Sequence, residues 1–136
     1  MPINYILDTH IWIWLQEGDS AKLKPDAVAF LGEMQRESRL HVSMISIWEI
    51  ANLLEKNKVA IYAPLETWLD RGLADHALDV LPLTAKILIE STGLPGEIHR
   101  DPADRIIIAT ARVEGMTILT YDARILAYPS VSVERI

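Results

Sequence analysis

Short apolar stretches alternate with longer stretches of helical periodicity along the chain. The short stretches predict strands at 3–7, 41–44, 78–81, 117–120 and 131–133. The longer stretches predict helices over 9–17, from Pro25, from Ile47 to about Lys58, from Pro64, over 84–91, over 102–114 and over 123–126. Short apolar strands separated by helices are typical of a parallel sheet that is covered on both faces. The pattern therefore predicts an α/β fold.

Length and composition indicate one domain. The chain has 136 residues, of which 50% are hydrophobic, and this predicts a single domain over residues 1–136 with a substantial core. It has no cysteine, which excludes disulfides, a thiol nucleophile and a thiolate metal site. We see no signal peptide, and the apolar runs are too short to span a bilayer. We therefore expect a soluble cytoplasmic protein without a membrane partner.

Acidic residues outnumber basic residues. There are 19 Asp and Glu against 13 Lys and Arg, which gives a net charge of −6 and a pI near 5.1. A protein that binds nucleic acid mainly by neutralising phosphates is expected to be basic. Any nucleic-acid contact here therefore needs another source of positive charge, such as a divalent cation. A basic protein partner is the other explanation of the acidity.

Four acidic residues follow predicted strands or lie near the start of the helices after them. They are Asp8, Glu49, Asp104 and Asp122, which we call the acidic quartet. Ligands of parallel sheets bind at the carboxyl edge of the strands, where the next helix begins. All four side chains can therefore face one crevice.

Each member of the acidic quartet also has a purely structural explanation. Asp8 and Asp122 fit the N-cap position of the helices that follow them. Ser46 and Glu49 have the spacing of a capping box, in which Glu49 would lie in the first turn of its helix. Taken singly, capping explains these residues better than catalysis does.

A further acid, Asp101, precedes Asp104. Because it stands before Pro102, Asp101 avoids the helical conformation and fits the N-cap of the helix that Pro102 begins. Capping would occupy its oxygen. Asp104 is therefore the better metal ligand, and Asp101 is at best a residue beside the metal or the substrate.

Convergence of the acidic quartet would favour a metal site over four separate caps. Two unit charges about 5 Å apart repel by about 3 kcal/mol at an effective dielectric of about 20. A helix N-terminus stabilises a carboxylate by only about 0.3–1 kcal/mol. Carboxylates that share a crevice therefore need a cation or protonation. Oxygen ligands without cysteine favour Mg²⁺ or Mn²⁺ over zinc.

Four blocks of sequence, in this order, resemble the PIN-domain nucleases, in particular the VapC-type toxins of bacterial toxin–antitoxin pairs. The blocks are YILDTH at 5–10, SMISIWEI at 43–50, HRDPADRIIIATA at 99–111 and ILTYD at 118–122. The resemblance covers nearly the whole chain, and its third block is the most specific. It implies a three-layer α/β/α sandwich with a short-stranded, mainly parallel sheet. It also implies that the acidic quartet binds Mg²⁺ or Mn²⁺ and hydrolyses RNA phosphodiester bonds.

The resemblance implies an active enzyme because all four members of the acidic quartet match the family positions. We expect Asp8 and Asp104 to be the main metal ligands. Glu49 and Asp122 would bind a second ion or orient the attacking water. The implied partners are an RNA substrate, a small cognate antitoxin protein and a second copy of the chain in a homodimer.

Three further residues match the family at positions beside the acids. Thr9 and Thr120 match the small hydroxyl residues that often accompany the first and the last acid. Asp101 matches an additional acid of the subgroup with a DPAD-like sequence. We place all three as candidates for contacts behind the metal or with the substrate.

The four tryptophans lie in apolar helical stretches, at positions 12, 14, 48 and 68. Packing in the core or in an interface explains them better than base stacking does. Trp12 and Trp14 are about 200° apart on a helix, so both cannot face the sheet. We expect one of them to line a subunit interface or a groove for a partner segment.

Histidine and arginine residues near the acids have two explanations each. His10 and His99 fit phosphate contacts, although a loop histidine is more often simply solvated. Arg100 and Arg105 fit bidentate contacts to substrate phosphate or ion pairs with neighbouring acids, and both alternatives stay open.

Other functional classes fit less well. A receiver-like phosphotransfer domain needs an acidic pair after the first strand and a lysine after the last, but Asp8 stands alone and no lysine follows Lys86. A haloacid-dehalogenase-type phosphatase needs Asp-x-Asp, which residues 8–10 do not supply. The alternative to a metal-dependent endoribonuclease is a catalytically silent module that binds a protein partner.

Overall fold

A single five-stranded parallel sheet forms the centre of the molecule. The computed structural model describes residues 2–75 and 77–136. The strands are β1 (Tyr5–Leu7), β2 (Leu40–Ser43), β3 (Asp79–Leu81), β4 (Thr117–Leu119) and β5 (Val133–Glu134). Their spatial order is β3-β2-β1-β4-β5, and each neighbouring pair is parallel. The predicted α/β fold with a short-stranded parallel sheet is confirmed.

Helices connect the strands. They are α1 (Thr9–Glu17), α2 (Pro25–Arg36), α3 (Met44–Glu55), α4 (Leu65–Asp75), α5 (Ala85–Thr92), α6 (Pro102–Glu114) and α7 (Ala123–Leu126). The sequence placed α1, α5, α6 and α7 within a residue of these bounds. Within the described residues, no helix is both long and apolar enough to cross a membrane.

Several predicted boundaries were wrong. Strand β1 begins at Tyr5 and not at residue 3, and α3 ends at Glu55 and not near Lys58. Helix α3 begins at Met44 and not at Ile47, because the Ser43 side chain accepts a hydrogen bond from the Ile45 N–H at 3.1 Å and so caps the helix three residues earlier. The last strand pairs at Val133–Glu134, later than the apolar run at 131–133 predicts. Its register is set by pairing with β4, where Ile118 lies opposite Val133.

Alternate residues of β1 enter two separate cores. Tyr5 and Leu7 pack with buried side chains of α1, α2 and α4, whereas Ile6 packs with those of α5 and α6. Because successive side chains of a strand point to opposite faces, the two cores lie on the two sides of the sheet. This arrangement is the predicted α/β/α sandwich. It leaves the carboxyl ends of the strands open at one edge.

Two of the four tryptophans form the centre of the first core. The Trp12 and Trp68 rings are fully buried with centroids 5.5 Å apart. Gln16 links them, because its side chain accepts from Trp12 Nε1 at 2.9 Å and donates to the Trp68 carbonyl. Trp48 differs, since it is 55% exposed and does not pack in the core, which leaves the predicted interface role as the alternative for that residue.

Candidate active site

Asp8 lies at the carboxyl end of the central strand and is 7% exposed. Its Oδ1 accepts from the Thr9 N–H at 2.8 Å and thereby caps α1. Its Oδ2 accepts from Thr120 Oγ1 at 2.7 Å, which joins the ends of β1 and β4. Burial raises the pKa of Asp8 and the charge of Asp122 adds to the rise, although these hydrogen bonds and His10 oppose it. Asp8 therefore caps α1, as predicted, and burial disfavours its ionised form.

Glu49 lies inside α3 and not in its first turn. The predicted capping box is wrong, because Ser43 caps the helix and Ser46 is buried against Thr9, with 2.8 Å between the two hydroxyl oxygens. Glu49 is thus free of a capping role. Burial raises its pKa, and the charges of Asp8 and Asp101 raise it further, while the Thr9 hydroxyl opposes the rise. Within the described residues Glu49 Oε1 is buried and has no hydrogen-bond partner.

The start of α6 is as the sequence predicts, and it holds two acids. Asp101 Oδ1 caps the helix by accepting from the Asp104 N–H at 3.0 Å. Asp104 is 7% exposed, and His99 Nε2 lies 2.6 Å from its Oδ2. Burial raises the pKa of Asp104 to about 6, and the charges of Asp8, Asp101 and Glu49 contribute, whereas the hydrogen bond from His99 opposes them. His99 therefore contacts an acid directly and is not a solvated loop residue.

Asp122 differs electrostatically from the other three members of the acidic quartet. Its Oδ1 caps α7 by accepting from the Arg124 N–H at 2.8 Å, and its Oδ2 lies 3.3 Å from Arg124 Nη2. Burial raises the pKa of Asp122, but the hydrogen bonds and the charge of Arg124 outweigh burial and leave this pKa below its ordinary value. Asp122 is thus stable as an anion without any metal.

Arg124 is a residue that sequence reasoning missed. Its Nη2 also lies 4.0 Å from Asp104 Oδ2, and its side chain is 61% exposed. The signal was available, since Arg124 stands two residues after the acid that caps α7. Arg124 brings a positive charge to the mouth of the crevice.

The structure brings the acidic quartet together with Asp101. One carboxylate oxygen each from Glu49, Asp101 and Asp104 lie within 4.8 Å of one another. The charge of Asp8 acts on Glu49 and Asp104, and that of Asp122 acts on Asp8. A spacing this close, with an orphaned Glu49 oxygen and hard oxygen donors, fits a small divalent cation. We call this group of five carboxylates the acidic crevice.

The neighbouring predicted residues fall into two groups. Thr9 and Thr120 lie behind the acids and bond to them or to Ser46, as described above. Arg105 Nε instead donates to the Ser91 carbonyl at 3.0 Å, and Arg100 is exposed. Neither arginine forms an ion pair with an acid in the described part of the chain. They line a shallow cleft next to His99.

Comparison with known proteins gives sequence relatives. The family model of the PIN domain matches residues 5–130. Ribonuclease VapC22 of Mycobacterium tuberculosis is 31% identical over 123 residues, which is 90% of each chain. The stretch that the family model matches includes all five carboxylates of the acidic crevice.

Solved structures share the fold. A chain in the crystal structure of VapBC2 from Rickettsia felis bound to a DNA fragment from their promoter matches with a TM-score of 0.69 and 19% identity, over 98% of both chains. A chain of DNA-bound VapBC from Salmonella typhimurium matches with a TM-score of 0.68 and 20% identity, also over 98% of both. A chain of FitAcB from Neisseria gonorrhoeae matches with a TM-score of 0.63 and 20% identity over 95% of both. On the evidence of the family match and the 31% identical relative, this chain belongs to the PIN domain family.

Proposed function

We propose that this protein is a metal-dependent endoribonuclease and the toxin of a VapBC-type toxin–antitoxin pair. The observation that carries the proposal is the acidic crevice, in which buried carboxylates with raised pKa values surround an unpartnered Glu49 oxygen. The 31% identity to a ribonuclease supports RNA as the substrate. Complexes of VapB with VapC among the structural relatives support an antitoxin as the partner.

We assign the cation to Glu49 and Asp104, whose oxygens lie within 4.8 Å of each other, and to Asp8, whose charge acts on both; Asp101 is occupied as the cap of α6. Each oxygen of Asp8 accepts a hydrogen bond but keeps further acceptor capacity, and Glu49 Oε1 has no other partner among the described residues. Without cysteine, the donor set fits Mg²⁺ or Mn²⁺. When bound, such an ion would neutralise a phosphate, lower the pKa of a water and stabilise the leaving alkoxide.

The remaining side chains orient and bind. His99 donates to Asp104 Oδ2, so it fixes the direction of that carboxylate. We assign to Asp122 the role of holding Arg124, because both of its oxygens are engaged by that residue. The exposed Arg124 guanidinium is placed to bind a phosphate of the RNA. An acidic protein thereby acquires positive charge where a polyanion must enter.

The proposal extends to partners and location. A net charge of −6 is complementary to a basic antitoxin segment. A homodimer would cover the apolar surface of α3, where Met44 is 46% and Trp48 55% exposed. We further infer that the enzyme acts in the cytoplasm, where its proposed RNA substrate and antitoxin are made.

Cleavage of single-stranded RNA by the purified protein tests the proposal. We expect cleavage in Mg²⁺ or Mn²⁺, none in excess EDTA, and none from Asp8→Asn or Glu49→Gln, while circular dichroism shows an intact fold. Asp70→Asn, an exposed change on α4, serves as the active control. Undiminished cleavage in EDTA would refute the metal. A folded wild type that cuts no RNA but binds its antitoxin would favour the catalytically silent alternative.

A further inference from the structure

A cleft with aromatic walls opens beside the acidic crevice. Its lining residues are Asp8, His10, Ile11, Trp14, Tyr121 and Asp122, and we call it the aromatic cleft. Its volume is about 270 Å³. This is room for about nine waters at roughly 30 Å³ each, which is enough to admit one nucleobase. Two carboxylates of the acidic crevice, Asp8 and Asp122, thus form one wall of a space that can hold a nucleobase.

The rings of the aromatic cleft touch one another without closing it. The Trp14 centroid lies 5.7 Å from that of His10 and 5.9 Å from that of Tyr121, and the Trp14 and Tyr121 planes are tilted by 34°. All three residues are partly exposed. Flat π-surfaces at a solvent-filled cleft provide a platform on which a base of any sequence can stack.

The polar groups of these rings are free for a ligand. Trp12 and Trp68 both donate their indole N–H to internal acceptors, at 2.9 and 2.8 Å. Among the hydrogen bonds of the described residues, none engages the Trp14 indole or the Tyr121 hydroxyl, and neither atom is among the buried unpartnered ones. Both groups are therefore at least partly accessible, and the edge of a base can pair with them.

Cations flank the same rings. Lys22 Nζ lies 5.8 Å from the Trp14 centroid, and Arg135 Cζ lies 4.8 Å from the Tyr121 centroid. Aromatic platforms bordered by positive charge are how proteins bind single-stranded nucleic acid. Because the protein is acidic as a whole, two cations beside aromatic rings mark this cleft as a place where a nucleic acid can bind.

We propose that the aromatic cleft is a nucleobase subsite, in which the base next to the scissile phosphate stacks on Trp14 and Tyr121. Lys22 and Arg135, which lie over these rings in this structure, then move to phosphates of the flanking nucleotides. The inference rests on the proposed function, because Asp8 and Asp122 join the cleft to the acidic crevice. A side chain of a protein partner is the competing occupant, and the exposed indole N–H and phenol favour the base.

The test compares Trp14→Leu and Tyr121→Leu with wild type on a short fluorescein-labelled single-stranded RNA. Leucine keeps apolar volume against the core but removes the stacking face. Loss of base stacking raises KM by about tenfold, and we expect kcat to stay within about twofold, because the acids are untouched. Tyr62→Leu is the matched control, since Tyr62 is 50% exposed with the Arg71 guanidinium 5.6 Å from its ring, but lies outside the cleft.

A second arm removes the base instead of the ring. RNAs that carry one abasic nucleotide are scanned for binding to the Glu49→Gln variant, with and without Trp14→Leu. At the position that occupies the cleft, the two losses should not add, because each removes the same contact. Additive losses at every position would overturn the subsite. Thermal unfolding confirms that each variant is folded. If one is not, Arg135→Gln replaces it, and we expect this variant to bind RNA more weakly and with a shallower dependence of affinity on salt.

The outcomes separate the two proposals. If the wild type cuts no RNA, the proposed function fails, yet the subsite stands when labelled RNA still binds and Trp14→Leu weakens that binding. If RNA kinetics and binding are unchanged in Trp14→Leu and Tyr121→Leu, the subsite is refuted. The same two variants losing affinity only for an antitoxin would assign the cleft to protein.

Discussion

Replacing Asp104 with asparagine should stabilise the metal-free protein while it abolishes the proposed activity. Asp104 has a pKa of about 6 against an ordinary value of 3.8. The difference of about 2.2 pKa units corresponds to roughly 3 kcal/mol of unfavourable free energy for the ionised carboxylate in the folded state. Asparagine removes the charge and keeps an oxygen for the hydrogen bond from His99. The raised pKa already includes this bond, and solvent at the mouth of the crevice screens part of the repulsion, so the expected net gain is about 1–2 kcal/mol.

The gain should depend on pH in a defined direction. Because the folded pKa of Asp104 lies above the unfolded one, its protonated form stabilises the fold fully below about pH 3.8, and this stabilisation is lost as the pH rises through about 6. The asparagine of the variant does not titrate. The stability difference should therefore be small near pH 4 and complete above about pH 7.

Thermal unfolding followed by circular dichroism in EDTA measures the effect. For a domain of this size about 1 kcal/mol shifts Tm by about 4 °C, so Asp104→Asn should unfold about 4–8 °C above wild type at neutral pH. Asp70→Asn, at an exposed site, should change stability by no more than about 0.5 kcal/mol. Saturating Mg²⁺ should stabilise the wild type selectively and narrow the gap. The electrostatic explanation would be refuted if Asp104→Asn were less stable than wild type in EDTA, or if the difference in Tm between the two proteins did not change with pH.

Two other substitutions test separate features. Arg124→Gln should weaken RNA binding and reduce the slope of log affinity against log salt by about 0.7, the value for one phosphate contact to a single strand. Arg71→Gln is the control. An unchanged slope in Arg124→Gln would show that Arg124 does not contact the RNA. Gly72→Ala should destabilise the protein by about 2 kcal/mol in urea unfolding, because a Cβ there would overlap the buried Gln16 side-chain amide. Gly32→Ala, whose Cβ would meet Arg36 Nη1 at 3.6 Å, should be neutral or slightly stabilising, and equal effects at the two glycines would contradict this account.

The elements with strong local signals could be predicted from the sequence. Asp101 followed by Pro102 fixed the start of α6, since both residues favour a helix start whatever surrounds them. A carboxylate that caps a helix can also lie in the acidic crevice, so the two explanations offered for each acid do not exclude each other. Asp8 caps α1 with one oxygen and still lies in the acidic crevice, because the N-terminus of a helix and the carboxyl end of a strand coincide in this fold.

The failures concern choices that only tertiary structure makes. Ser43 and Ser46 are both good caps, and where β2 ends decides between them. Trp48 lies in a helix that is apolar on most sides, so the neighbouring sequence does not show which side packs against the core and which is exposed. Arg124 could not be predicted as a site residue, because a single arginine after an acid is common on protein surfaces. What places it at the site is its distance to Asp104, which only the fold determines.

The position of β1 between β2 and β4 has a consequence for synthesis. Asp8 receives its hydrogen bond from Thr120, 112 residues further along the chain, and β1 has an unpaired side until β4 arrives. On the ribosome, the acidic crevice therefore stays incomplete until β4 and the residues after it have left the exit tunnel. N-terminal fragments that stop short of Thr117 lack both Thr120 and Asp122, so we expect them not to form the acidic crevice.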